Sequence, residues 1–310
     1  MAEPISHPAA ALRLDGACKR YGATVALDGL SLAVAPGEWL GLLGPNGAGK
    51  TTALLATAGL IRLDAGRIEL LGMEHRGPRP DAVGLVPQEV ALYRQLTARE
   101  NLSAFGRLHG LRGCTLADRL AWALEWTGLG PRADDRVERF SGGMLRRLNI
   151  ACGVLHRPPL VLLDEPTVGV DPQARERIFT MLDELRSSGT TLVHSTHELG
   201  DIEDRCDRLA VMDRGRTIAD GRLQELIRDT VGFRATVVLE LDRALTAAEL
   251  DLDVSVNGRR VTGGLDDVAT ELPRLLARVA ASGAMVGRVD VRRPGLAEAF
   301  VALTGRGLRE

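Results

Sequence analysis

One segment constrains this chain more than any other: Gly44, Pro45, Asn46, Gly47, Ala48, Gly49, Lys50, Thr51 and Thr52. Its spacing, Gly44-x4-Gly49-Lys50-Thr51, is that of a loop which wraps the phosphates of a nucleoside triphosphate. The glycines let backbone N–H groups turn inward on a β-phosphate. A helix expected from about Lys50 to Gly59 points its positive end at the same anion. Lys50 places an ammonium against the β- and γ-phosphates, and Thr51 a hydroxyl against Mg²⁺. Of 39 Lys and Arg residues, only Lys19 and Lys50 are lysine. Arginine fills nearly every other cationic position, so a lysine marks a slot too narrow for a planar guanidinium.

Apolar runs supply the frame. Residues 12–35 read as short strands (11–14, 25–27 and 30–34), and Glu38 to Leu43 as the buried strand that enters the loop. Residues 92–155 are mostly of helical period, with Leu116, Leu120, Leu124 and Leu148 among the apolar positions. Leu160 to Leu163 is a second buried strand and Pro172 to Ser187 a helix. Thr191 to Ser195 and Arg208 to Met212 are further strands. Strands alternating with helices predict a parallel sheet with crossovers. Composition shifts near Thr230. Beyond it, Asn257 and Gly258 suit a type I′ hairpin turn, and Val268 to Ser282 an amphipathic helix.

Two further segments carry chemistry. The strand 160–163 runs into Asp164 and Glu165, where one acid can hold Mg²⁺ and the next can polarise an attacking water. Phe140, Ser141, Gly142, Gly143 and Met144 precede a helix that Ser141 can cap, with bare amides at the glycines. Phosphate loop, Ser-Gly-Gly and Asp-Glu strand follow in that order along the chain.

On these motifs the chain resembles the ATP-binding subunit of an ABC transporter across residues 12–225. The resemblance implies a fold class: an α/β P-loop NTPase of ABC cassette type. It has a RecA-like parallel-sheet core, an antiparallel β subdomain and a helical subdomain, here with a small C-terminal α+β domain. It also assigns roles. Tyr21 stacks on adenine, and Gln88 links Mg²⁺ and the attacking water to the membrane half. Ser141, Gly142 and Gly143 close over the γ-phosphate held by the opposite subunit. Asp171 lies in the loop that crosses between the two sites, and His197 contacts the γ-phosphate. The cofactors implied are ATP and Mg²⁺. The partners implied are a second copy, as a homodimer across ATP, and an integral membrane permease. His194 is expected to be structural, and His7, His75, His109 and His156 match no family position.

Met144 stands where many members have Gln, and Val168 and Val170 replace Ser and Leu. None of these positions supplies an acid, base or metal ligand. Ser-Gly-Gly-Met with Arg146, Arg147 and Leu148, and the run from Arg293 to Phe300, resemble the branch that exports drugs and antibiotics. The expected organisation is a disordered arm over 1–10, a cassette over 11–228 and an accessory domain over 229–310. The helical subdomain of the cassette is expected at about 90–156.

The formal charge of -2 and the 3% aromatic content give no case for nucleic acid as partner. No apolar run reaches 18 residues, and the start lacks the pattern of a secretory signal. The four cysteines form no CxxC pair, as suits a reducing compartment. The expected location is the cytoplasmic face of a bacterial membrane. Three alternatives carry less of the sequence. An importer ATPase fits Met144 and the C-terminal run poorly. A soluble ABC ATPase acting on DNA or ribosomes would want a coiled-coil insertion or a second cassette. A module that binds ATP without hydrolysing it would not need Glu165, Gln88 and His197.

Overall fold

The computed structural model describes residues 10–246 and 254–305, so the expected N-terminal arm lies outside the described residues except for Ala10. The described residues form two compact units that divide between Gly221 and Arg222, ahead of the expected limit at 228.

In the first unit, β1 (Leu12–Tyr21) and β2 (Thr24–Val34) form a long antiparallel hairpin. Then come β3 (Trp39–Leu43), α1 (Lys50–Thr57), β4 (Ala65–Leu70), β5 (Met73–His75) and β6 (Val83–Val86). A helical stretch follows: α2 (Ala98–Leu108), α3 (Gly113–Trp126) and α4 (Gly142–Val154). The unit ends with β7 (Leu160–Asp164), α5 (Pro172–Ser187), β8 (Thr191–Thr196), β9 (Arg208–Asp213) and β10 (Arg216–Gly221). One sheet has the order β2-β1-β4-β5. The other has the order β10-β9-β3-β8-β7-β6 and is parallel except at β10.

Alternation along the parallel strands sorts their side chains into two cores. Trp39, Val161, Leu163 and Leu192 pack against α2, α3, α4 and α5. Leu40, Leu42, Leu160, Leu162 and Val193 pack against α1 and the antiparallel sheet. Both faces are covered, which is why β3 and β7 read as near-continuous apolar runs.

His194 confirms its structural role. It is fully buried on β8, between the rings of Trp39 and Phe179, whose centroids lie 6.3 and 6.1 Å away. Neither ring nitrogen has a hydrogen-bond partner among the described residues, and burial pushes its pKa down from 6.5 to about 3. Between those values the unfolded chain binds a proton that the folded chain does not. Its contribution to stability is therefore whole above pH 6.5 and is lost as pH falls toward 3. Urea unfolding should lose about 1.4 kcal/mol per pH unit from this residue below its ordinary pKa. His194→Met should flatten that part of the profile. An unchanged slope would place the titration elsewhere.

The second unit comprises α6 (Leu223–Thr230), β11 (Ala235–Leu241), β12 (Val254–Asn257), β13 (Arg260–Leu265), α7 (Val268–Ala281), β14 (Val286–Arg292) and α8 (Leu296–Thr304). Its antiparallel sheet has the order β12-β13-β11-β14. Ala235, Val237, Leu239 and Leu241 alternate into a core shared with Leu275 and Val279 of α7. The hairpin differs from expectation. Asn257 pairs with Arg260, so the turn residues are Gly258 and Arg259. Only Gly258 has positive φ, at 61°. That is the type II′ pattern, since type I′ needs positive φ at both.

Candidate active site

The phosphate loop leaves β3 and is fixed from two sides. Gly215, in the β9–β10 turn, donates its N–H to the Ala48 carbonyl at 2.9 Å. Gly49 lies against β2 at φ 104°, where a Cβ would sit 2.4 Å from the Ala26 oxygen. Gly49→Ala should therefore cost about 2 kcal/mol or more, read as a lower unfolding midpoint. Gly47→Ala, at φ 82° with nothing within 4 Å, should cost less.

Helix α1 starts at Gly49 with no side-chain cap and no acid in its first turn. Helices α2, α4 and α5, by contrast, start on side-chain caps at Thr97, Ser141 and Asp171. The positive end of α1 is thus left for an anion. Asn46, Gly47 and Thr51 are exposed, Thr52 half-buried, and Gly44, Pro45 and Ala48 buried. Lys50 is buried, and its ammonium donates to the carbonyls of Gly44 at 2.6 Å and Pro45 at 3.2 Å. Burial lowers its pKa, while Glu165 and Asp164 act to raise it.

Four parallel neighbours, β3, β8, β7 and β6, end side by side. Their carboxyl ends deliver the phosphate loop, His197, the Asp164–Glu165 pair and Gln88. Open α/β sheets bind ligands at such ends. Glu165 is the centre of the group. Its carboxylate accepts from the Gln88 amide nitrogen at 3.0 Å and from His197 Nδ1 at 2.9 Å. A carboxylate only accepts, so Nδ1 carries the proton and Nε2 is left for another partner. Glu165 has φ 47°, uncommon for a side chain with a Cβ, and its N–H donates to the Ser195 carbonyl at 3.0 Å. Strain of this kind persists where the surroundings hold it and gathers at functional positions. Asp164 accepts from the Ser195 hydroxyl at 2.5 Å.

The donors suit a hard cation. Thr51 offers a hydroxyl and Asp164 a carboxylate oxygen. Gln88 spends its nitrogen on Glu165, which leaves its oxygen. Among the described residues there is no cluster of three or more His, Cys, Asp or Glu to cage a metal.

The remaining expected residues lie outside this group. Tyr21 ends β1, half exposed, with the Lys19 ammonium 5.6 Å from its ring. Lys19 pairs with Asp64 at 3.0 Å, so the second lysine serves the antiparallel sheet. Ser141 and Gly142 are exposed. Asp171 caps α5 through the Ala174 N–H at 3.0 Å. A Cβ on Gly143 would sit 2.5 Å from the Ala174 Cβ, so the Ser-Gly-Gly turn and the Asp171 turn pack on each other within one chain. His109 and His156 stack ring on ring at 3.8 Å, and His75 is buried. His7 lies outside the described residues.

Sequence reasoning missed Ser195, Arg146 and the brace beneath His197. In that brace Asp201, which is buried, accepts from the Thr167 hydroxyl and pairs with Arg175 at 3.3 Å. Arg175 also holds Glu198 at 2.9 Å. The one available signal for Arg146 was a polar pair, Arg146 and Asn149, set three apart among apolar positions of α4.

A phosphate loop, an Asp-Glu strand end and a histidine on adjacent parallel strands define a P-loop nucleoside triphosphatase. The family model described as ABC transporter matches residues 27–168. The linearmycin resistance ATP-binding protein of Bacillus subtilis is 36% identical, over 96% of this chain and 100% of its own. A daunorubicin resistance ATP-binding protein of Streptomyces coeruleorubidus is 39% identical, over 95% and 96%. A Nod factor export ATP-binding protein of Ralstonia nicotianae is 39% identical, over 96% and 95%. Among solved structures, the ATP-binding subunit of an ABC transporter superposes with TM-score 0.63 at 30% identity, covering 70% of this chain and 92% of that one. A dimeric bacterial ABC transporter cassette gives TM-score 0.63 at 25% identity, covering 68% and 98%. The chain belongs to the ABC transporter ATP-binding family, and it binds and hydrolyses ATP.

Proposed function

We propose that the chain powers export of a drug, antibiotic or similar small molecule by a separate integral membrane permease. The observation that carries this reading is likeness at 36–39% identity to resistance and export ATP-binding proteins over nearly the whole of each chain. The likeness extends through the second unit, beyond the part that any ATPase cassette needs. No helix among the described residues is long and apolar enough to cross a membrane. That fits a peripheral subunit on the cytoplasmic face.

Two copies sandwich two ATPs, each held by one phosphate loop and by Ser141, Gly142 and Gly143 of the other copy. Two features of the single chain support this reading: α1 starts with no side-chain cap, and the Ser141–Gly142 turn is exposed. Tyr21 stacks on adenine. Mg²⁺, held by Thr51, Asp164 and Gln88, supplies charge neutralisation of the phosphates. Glu165 takes the proton of the attacking water, His197 holds the γ-phosphate through Nε2, and Asp171 lines the crossing between sites. The permease docks between the Gln88 segment and the helices after it. A cleft of about 180 Å³ there is bounded by Pro87, Ala91, Phe105, His109 and Asn149.

The test is capture from detergent-solubilised membranes with this chain as bait. An integral membrane protein that stimulates ATP turnover is the expected catch. Recovery of the chain alone, or on ribosomes, would sink the export reading.

A further inference from the structure

Helix α4 begins at the Ser141 cap, and one turn and a half later, about 7.5 Å along the axis, it carries Arg146. Arg146 is only 6% exposed and has no carboxylate within ion-pair distance among the described residues. Burying a guanidinium is costly unless it is hydrogen-bonded. Its bonds go to one place: Nη1 donates to the carbonyl of Gln88 at 2.7 Å and to that of Pro87 at 3.3 Å. Asn149, on the next turn, donates to the Pro87 carbonyl at 3.4 Å and accepts from the Ala91 N–H at 3.1 Å. The helix thus grips the main chain of the segment whose side chain, Gln88, grips Glu165.

We propose that Arg146 is a positioning residue for hydrolysis, which sets the Gln88 main chain so that Glu165 is aimed. Resting on the paired-site reading above, it makes α4 a rigid rod with a finger in each nucleotide site. One end, at Ser141, reaches the partner's ATP. One and a half turns further along, Arg146 aims the glutamate over the chain's own. A shift of α4 on nucleotide closure reaches Glu165 through two hydrogen bonds, Arg146 to Gln88 and Gln88 to Glu165.

The test is a double-mutant cycle in the full chain with Arg146→Gln, Gln88→Ala and the pair. Arg146→Gln should lower kcat about tenfold or more while ATP affinity stays within about twofold. The pair should turn over no slower than Gln88→Ala alone, within about twofold, because both act through one contact. Multiplied losses, or weakened ATP binding with kcat unchanged, would overturn the proposal. Should Arg146→Gln fail to fold, Arg146→Lys enters the same cycle. It keeps the charge and loses the fork, and multiplied losses there overturn the proposal equally. Glu165→Gln, assayed in parallel, reports on the base alone. Turnover surviving in it removes Glu165 from that role and leaves the Arg146–Gln88 cycle readable.

Discussion

Glu165→Gln should lower ATP turnover about 10²–10⁴-fold while ATP binding survives. Among the described residues the carboxylate makes no hydrogen bond to the phosphate loop or to Tyr21, so the hydrogen bonds that hold Lys50 on the Gly44 and Pro45 carbonyls are kept. The substitution removes the only proton acceptor at that position. It also unsettles the neighbours, because Glu165 accepts from both Gln88 and His197. An amide has one accepting oxygen, so one of the two donors must face an NH₂ group. Without hydrolysis, paired chains should stay closed on ATP. Phosphate release and size-exclusion chromatography with ATP check both halves. Turnover within tenfold of the wild type would remove Glu165 as the base.

The second large effect belongs to Lys50. Lys50→Ala should weaken ATP binding about tenfold to a hundredfold, the worth of one charge-assisted hydrogen bond. Turnover should fall about a hundredfold or more, because charge building on the γ-phosphate loses its nearest cation. Lys50→Arg should rescue little. The ammonium is buried against the Gly44 and Pro45 carbonyls, a pocket matched to a compact head rather than a planar fork. Titration with a fluorescent nucleotide alongside steady-state turnover separates the two losses. Near-normal turnover in Lys50→Arg would refute the fit argument.

The motif residues were legible because their chemistry is local. Lys50, Asp164, Glu165 and His197 each lie at or after the end of a buried strand, and the strand before the Asp-Glu pair announces itself by four apolar residues in a row. Helix α5 was legible to both ends, since Asp171 and Pro172 are a capping pair. The first hairpin was not. Its strands run unbroken from Leu12 to Tyr21 and from Thr24 to Val34, but register shifts around Asp15 to Lys19 interrupt the alternation that marks a strand. Strand β10 is half-exposed and polar, and α6 is eight residues long, so neither carries enough pattern to be seen. The contacts of Ser195 and Arg146 were hidden for another reason. Each acts on a residue far along the chain, Asp164 or Gln88, and that pairing exists only once strand order is known.

The order of the large sheet has a mechanical reading. The phosphate loop, His197 and Glu165 follow strands with a neighbour on both sides, whereas Gln88 follows β6, which borders β7 alone. Three parts of the machine sit between two ladders of strand pairing, and the fourth beside one, with α4 holding its main chain. Moving Gln88 strains one ladder of pairing and leaves the others whole. On the proposed reading, the part that would take orders from a neighbour is mounted at the margin, where an outside push disturbs the phosphate grip least.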